Sequence, residues 1–441
     1  MRPGRQSPAP QSPARHPLAR LGRGLASTAI DVEPLRHADF RRLFLGQGVA
    51  FIGYQLTAVA VSVQVYALTG SSLWVGLLGV AALVPLIVFG LYGGAIADAV
   101  DRRLLYISSS TLVWAATGGL LVQALLQVRS PVLVLGLVAV QSVGFAVSSP
   151  VRQAIVPRLL AVRLVPAGNT LSFTMSNVGL VSGPLIAGVV ISRYGYAAAY
   201  GVDASLFTVG FYAALRLPHL PPSGQAVGLP GLRSVIEGLR FIAARPVLLM
   251  SFAVDICAMV LAMPRALFPQ AAAQRFGGAG AVGWLYAAIA IGAVLGGLGS
   301  GWIGRVRRQG IALVVAIVVW GLSVAAAGLA HSLVLAVALL AVGGAADLVS
   351  AVYRQTMLQV YAPDEMRGRL QGVFTVVVAG GPRLGDLRAG AMAGGVGLTT
   401  SWVAGGLLCS VVVVVLAAAV PALVQYDSAD AVAGSEVPAA A

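Results

Sequence analysis

Three aspartates stand inside otherwise apolar stretches of this sequence: Asp255, Asp347 and Asp386. Arg152 and Arg354 stand in comparable surroundings, and Arg383 and Arg388 flank Asp386. A charge in the middle of a hydrocarbon layer costs about 2.5–3.5 kcal/mol on insertion scales, so such residues usually face a cavity or one another. A carboxyl group in low dielectric holds its proton more readily, which is the chemistry of proton uptake and release. Asp255, Asp347 and Asp386 are candidates for it. The alternative is a structural pair with a nearby arginine. Arg383 and Asp386, three residues apart, share a helix face and are placed to neutralise each other. Arg152 and Arg354 either attract an anion from the cytoplasm, hold carboxylates at an inner gate, or reach the membrane interface along their aliphatic stems. Gln47, Tyr54 and Gln55 fall on one broad helix face and offer polar groups to a solute. Asp203 lies nearer the end of its apolar run and is expected at the interface.

These residues need a membrane protein around them. Of 441 residues, 58% are hydrophobic and 10% charged, with a mean hydropathy of +0.88. Soluble domains carry about 25% charged residues, so the bilayer is the solvent for most of this chain. The formal charge is +14, and every basic residue is arginine. The arginines sit in short loops between apolar runs, a pattern that orients a membrane protein rather than one that binds nucleic acid. Cys257 and Cys409 lie in apolar runs and read as buried small hydrophobes. No histidine is placed for a metal site, and no phosphate-binding Gly-Lys-Ser/Thr loop occurs in a chain without lysine. No nucleophile–base arrangement is visible, which argues against an enzyme.

Twelve apolar runs follow one another near 43–67, 73–97, 104–126, 131–154, 167–191, 197–217, 247–271, 282–303, 311–329, 333–356, 370–395 and 400–424. Most reach the roughly 20 residues that cross a hydrocarbon core as a helix. With the N-terminus inside, thirteen arginines fall in inner loops against three in outer ones, Arg129, Arg193 and Arg275. That bias puts both termini in the cytoplasm. The organisation expected is a disordered tail over 1–34, a six-helix bundle over 35–217, a cytoplasmic linker over 218–246 with an amphipathic piece at Leu232–Ala244, a second bundle over 247–424, and a disordered tail over 425–441.

The halves repeat. Arg152-Gln153 matches Arg354-Gln355 at an offset of 202 residues, and Gly183-Pro184 matches Gly381-Pro382 at 198. The stretch Gly93 to Arg103 has a degenerate echo at Gly299 to Arg308. The fold predicted is therefore all-α and polytopic, with twelve transmembrane helices in two parallel-repeat six-helix bundles. Such repeats place a solute site near the midplane between the halves.

At Gly94, Asp98, Arg102 and Arg103 the sequence resembles the loop between helices 2 and 3 of the major facilitator superfamily. Ala99 stands where that family usually has Arg, and Asp101 where it has Gly. Gly179, Gly183, Pro184 and Gly188 resemble the helix 5 motif of its proton-coupled exporters. Leu35 to Arg41, Gly283 to Ile289, Gln355 to Gln359 and Pro363 to Arg369 are similar to bacterial enterobactin (siderophore) exporters and related drug efflux proteins.

The resemblance implies a proton-driven exporter in a bacterial plasma membrane, working as a monomer by rocking of its halves. Its partners would be lipid, protons and a small molecule, with no cofactor beyond the proton gradient and no metal. It implies that helices 1, 4, 7 and 10 line the cavity, and that Asp98 meets the start of helix 11 as a cytoplasmic gate; a topological anchor and helix cap is the alternative. The helix 5 glycines would serve as hinge and seal, or simply allow tight packing. An uptake carrier for a sugar or organic acid, or a non-transporting receptor, are the competing functions.

Overall fold

The computed structural model describes residues 31–99, 101–219, 232–363 and 366–427. Helices build it: α1 (Ala38–Thr69), α2 (Ser72–Ala99), α3 (Arg102–Leu125), α4 (Pro131–Leu159) and α5 (Val165–Leu215) come first. After them come α6 (Leu232–Ala243), α7 (Pro246–Ala262), α8 (Phe268–Arg275), α9 (Ala279–Leu298), α10 (Gln309–Leu329), α11 (Leu333–Tyr361), α12 (Arg367–Val396) and α13 (Leu398–Ala419). Helices dominate because each satisfies its own backbone hydrogen bonds in lipid.

Ten stretches among the described residues are long and apolar enough to span a membrane. One of them, Val162–Leu215, has 54 residues and turns at Gly195, whose φ of 78° favours glycine. Its two arms run in opposite directions along α1: Gly48 and Gly183 mark contacts with the first arm, Gly46 and Gly53 with the second. It therefore holds length for two crossings. The expected run at 370–395 forms α12 but falls outside the ten; Arg383, Asp386 and Arg388 lower its hydropathy. The run at 247–271 is also not one rod. It breaks at Met263-Pro264 into α7, a 3-10 turn at Arg265–Leu267, and α8. Proline supplies no backbone donor, and the residue before it leaves the helical region.

The repeat is visible in detail. Ser130 and Ser332, also 202 residues apart, cap α4 and α11 alike: each hydroxyl accepts the N–H three residues on, at 3.3 Å. Gly195 and Gly397 share that offset and both turn the chain with positive φ, 78° and 87°. The helix pairs correspond too. Within the first half α2 packs on α4, α3 on α4 and α3 on α5; within the second α9 packs on α11, α10 on α11 and α10 on α13. Two large contacts join the halves, α2 with α12 and α5 with α9, and the same correspondence exchanges one for the other.

The edges differ from expectation. Glu33, expected in the first tail, opens a 3-10 turn and pairs with Arg163 at 2.8 Å. Tyr426, expected in the last tail, is buried beside Tyr361, with ring centroids 6.1 Å apart. The rest of both expected tails, 1–30 and 428–441, lies outside the described residues, as does 220–231 of the linker. The amphipathic piece forms α6 and packs on α12 and α7.

Candidate functional site

A cavity lies between the halves. Tyr54, Gln55 and Ser62 of α1, Gly79 of α2, Gln141 of α4 and Pro184 of α5 line it from one side. Arg265 of the 3-10 turn, Tyr286 of α9, and Arg383 and Asp386 of α12 line it from the other. Two guanidinium groups against one carboxylate leave this wall net positive.

The broken helix puts Arg265 there, and α12 holds the break at both ends. Arg388 donates from Nε to the carbonyl of Val260 at 3.2 Å and also bonds the carbonyl of Leu261. These are orphan acceptors at the C-terminus of α7. On the other side of the break, Asp386 Oδ1 accepts the N–H of Ala266 at 3.0 Å. A cation meets the negative helix end and an anion the exposed N–H, as the helix dipole favours. Tyr286 donates to the Arg265 carbonyl at 3.2 Å and stands edge-on to Phe268 at 5.1 Å. Arg265 thus lines the cavity from a clamped turn. Its charge acts on both Asp386 and Asp347 of α11. Asp347 makes no hydrogen bond among the described residues.

A second cavity lies within the first half, lined by Gln47, Phe51, Tyr54, Tyr106, Phe145 and Arg152 among others. Gln47 donates to the Tyr106 hydroxyl at 2.8 Å, and Tyr54 stacks on Phe145 at 4.8 Å. Tyr54 lines both cavities. Arg152 has no carboxylate partner among the described residues, whereas Arg354, its counterpart in the repeat, is ion-paired with Asp255. The side chains of that pair are 5% and 4% exposed. The equivalent arginines therefore differ: one charge is cancelled, the other faces a cavity.

The helix 5 motif divides in two. Gly179 and Gly183 face α1, where a Cβ would come within 2.5 Å of Phe51 Cδ1 and of Gln55 Cβ. Gly188 faces the other half, where a Cβ would lie 2.9 Å from the Gly280 carbonyl oxygen and 3.2 Å from the Gly283 Cα. Both α1 and α9 approach backbone to backbone, which only small residues allow. Gly94 and Asp98 lie in α2, but their side chains fall outside the described residues. Beyond them Asp101 caps α3, accepting the N–H of Arg103 at 2.8 Å, and its other oxygen meets His219 at 3.0 Å. Arg103 ties α3 to the end of α5 through the Leu215 carbonyl at 2.9 Å. Arg102 is buried at the first position of α3.

Residues 29–440 match the family model described as transmembrane secretion effector. The chain belongs to that family, a branch of the major facilitator superfamily. It is a multi-pass membrane transporter and not an enzyme. The enterobactin exporter EntS of Shigella flexneri is 31% identical over 369 residues, covering 82% of this chain and 85% of that protein. EntS of Escherichia coli O139:H28 is 30% identical over 370 residues, covering 82% and 86%. Among solved structures, the nucleoside transporter NupG aligns with a TM-score of 0.71 at 16% identity, over 88% of this chain and 100% of that one. A bacterial homologue of the human lysosomal transporter Spinster, inward-facing and unoccupied, aligns with a TM-score of 0.67 at 17% identity, over 93% and 100%. At those identities the two structures speak for the fold alone.

One expectation is corrected by the geometry. Asp203, expected at the interface, is fully enclosed at 0% exposure, because Gly53 of α1 leaves room for its carboxylate. Tyr286 lines the cavity, whereas its neighbour Trp284 is 49% exposed. Among the described residues no group of His, Cys, Asp or Glu is assembled for a metal, and both cysteines are free.

Proposed function

We propose that this protein is a secondary exporter that spends an inward proton gradient to expel an anionic, amphipathic metabolite of the siderophore type. The observation that carries this reading is the cavity between the halves, where Arg265 and Arg383 oppose the single carboxylate of Asp386 beside the rings of Tyr54 and Tyr286. A net positive, aromatic-walled site in a low-dielectric surround suits a solute with negative charge and flat apolar parts. Arg152, with no acidic neighbour among the described residues, gives such a solute a second foothold in the first half. The likeness to EntS supports a siderophore as cargo.

In this reading both termini are cytoplasmic, the membrane is a bacterial plasma membrane, and one chain is the working unit. The halves rock about the cavity. Gly188 and Gly283 on one flank and Ser72 and Gln270 on the other, hydrogen-bonded at 2.7 Å, form the contacts that must part for release. Asp386 and Asp347 lie within the field of Arg265, so protonating either changes the charge a solute meets.

The test is equilibrium binding of enterobactin to the purified protein. Binding should weaken at least tenfold in Arg383→Gln, the factor of about 1.4 kcal/mol expected from losing one charge-assisted hydrogen bond. Equal binding by the wild type and Arg383→Gln would refute the assignment of this cavity.

A further inference from the structure

Asp203 lies away from the cavity wall, in the second arm of α5, with 0% exposure. Its Oδ2 accepts the Thr57 hydroxyl of α1 at 2.6 Å and the Thr117 hydroxyl of α3 at 3.4 Å. Its Oδ1 is buried and has no hydrogen-bond partner. The titratable groups in its field are Tyr54 of α1 and Tyr200 of its own arm. From α3 it meets Thr117, and from α4, through Thr117, it meets Gln141. Among the described residues no arginine or histidine pairs with it. An enclosed carboxylate normally has a cation beside it, because an uncompensated buried charge is costly. Here the counter-charge that remains is a proton.

The site is wired to the cavity. Gln141 Nε2 donates to the Thr117 hydroxyl oxygen at 3.0 Å, and Gln141 is itself part of the cavity wall. The chain from wall to carboxylate is thus Gln141 N–H to Thr117 oxygen, then Thr117 O–H to Asp203. Every hydroxyl in such a chain can be turned round, and turning one reverses its neighbours.

We propose that Asp203 is a proton-binding site of the first half, and that the Thr117–Gln141 chain reports its occupancy to the central cavity. This rests on the proton-coupled reading given above and adds to Asp386 and Asp347 a proton-holding residue within the first half. With Asp203 ionised, Thr117 donates to it and accepts from Gln141, so the Gln141 carbonyl oxygen is free toward the cavity. When a proton from cavity water reaches the carboxylate, the new O–H donates to the Thr117 oxygen. The Thr117 hydroxyl then donates to the Gln141 carbonyl, and the amide turns over to show its NH₂ group. A solute that presents a hydroxyl or amide N–H at Gln141 is held when Asp203 is ionised and rejected when it is protonated. That is the sign an exchange of proton for solute requires.

Infrared difference spectra of the full-length protein in liposomes, recorded across a pH titration without solute, test the site itself. A protonated-carboxyl C=O band should appear on acidification, vanish in Asp203→Asn and shift in frequency in Thr117→Val, which keeps the carboxyl group. Both variants must elute as the wild type does. An unchanged titrating band in both would overturn the proposal. Enterobactin binding tests the wiring: its affinity should fall roughly tenfold on acidification, the size of one inverted hydrogen bond. The dependence should flatten in Thr117→Val, and Asp203→Asn should hold the low affinity at every pH. A Thr117→Val protein with the wild-type pH dependence would overturn the coupling. If the wild type does not bind enterobactin, the cargo assignment fails, and the infrared result alone decides on Asp203.

Discussion

Asp255 and Arg354 hold each other in a setting almost free of water. Removing one partner from such a pair strands the other charge, at a cost of about 3–5 kcal/mol. Asp255→Asn should therefore lower the yield and thermal midpoint of the purified protein, and the double variant Asp255→Asn/Arg354→Gln should recover part of the loss. Thermal unfolding in detergent measures both. Arg152 should behave oppositely. It neutralises no described acid, so Arg152→Gln should leave the midpoint within a degree or two of wild type while weakening binding of an anionic solute. Calorimetry beside a binding isotherm separates these effects. The sequence marked both arginines as an equivalent pair through their offset. It did not show that one is neutralised, since that depends on which residue of α7 faces α11.

At the scale of the helix, the break between α7 and α8 is the feature that positions the site. It turns Arg265 into the cavity and leaves carbonyls at Val260 and Leu261 that only Arg388 bonds among the described side chains. Each buried polar group left without a partner costs about 1–3 kcal/mol. Arg388→Ala should lower the thermal midpoint and displace Arg265, seen as lost solute binding; Arg388→Lys should restore part of both. Met263-Pro264 was visible in the sequence, but an apolar run of normal length hid the break. The same holds for Asp203: its distance along the run suggested an interface, while Gly53 across from it made a buried niche. Hydropathy reports which stretches enter lipid. It does not report which face of a helix meets which neighbour, and the candidate site is made of those faces.

At the scale of the whole molecule, the repeat was the most legible feature, because offsets of 202 and 198 residues survive in the letters. The structure carries it further, in the paired caps Ser130 and Ser332 and the paired turns Gly195 and Gly397. Two similar bodies meeting through exchanged contacts can rock, provided the contacts are thin. Gly188→Leu or Gly283→Leu should insert into the membrane normally but fail to transport, because the added side chain meets backbone on the opposite half. Vesicle transport at matched protein levels checks this. A short bis-methanethiosulfonate crosslinker across Ser72→Cys and Gln270→Cys, after Cys257 and Cys409 are replaced, should form a disulfide to each cysteine with loss of methanesulfinate and stop transport, and reduction should restore it.

The most direct test is enterobactin accumulation in inside-out membrane vesicles with an imposed pH gradient, acid inside, comparing wild type with Arg265→Gln/Arg383→Gln. Saturable, gradient-dependent accumulation in the wild type, lowered at least tenfold in the double variant, is the result expected from a positively lined exchange site between the halves. Accumulation that ignores the gradient, or that the double variant matches, would contradict it.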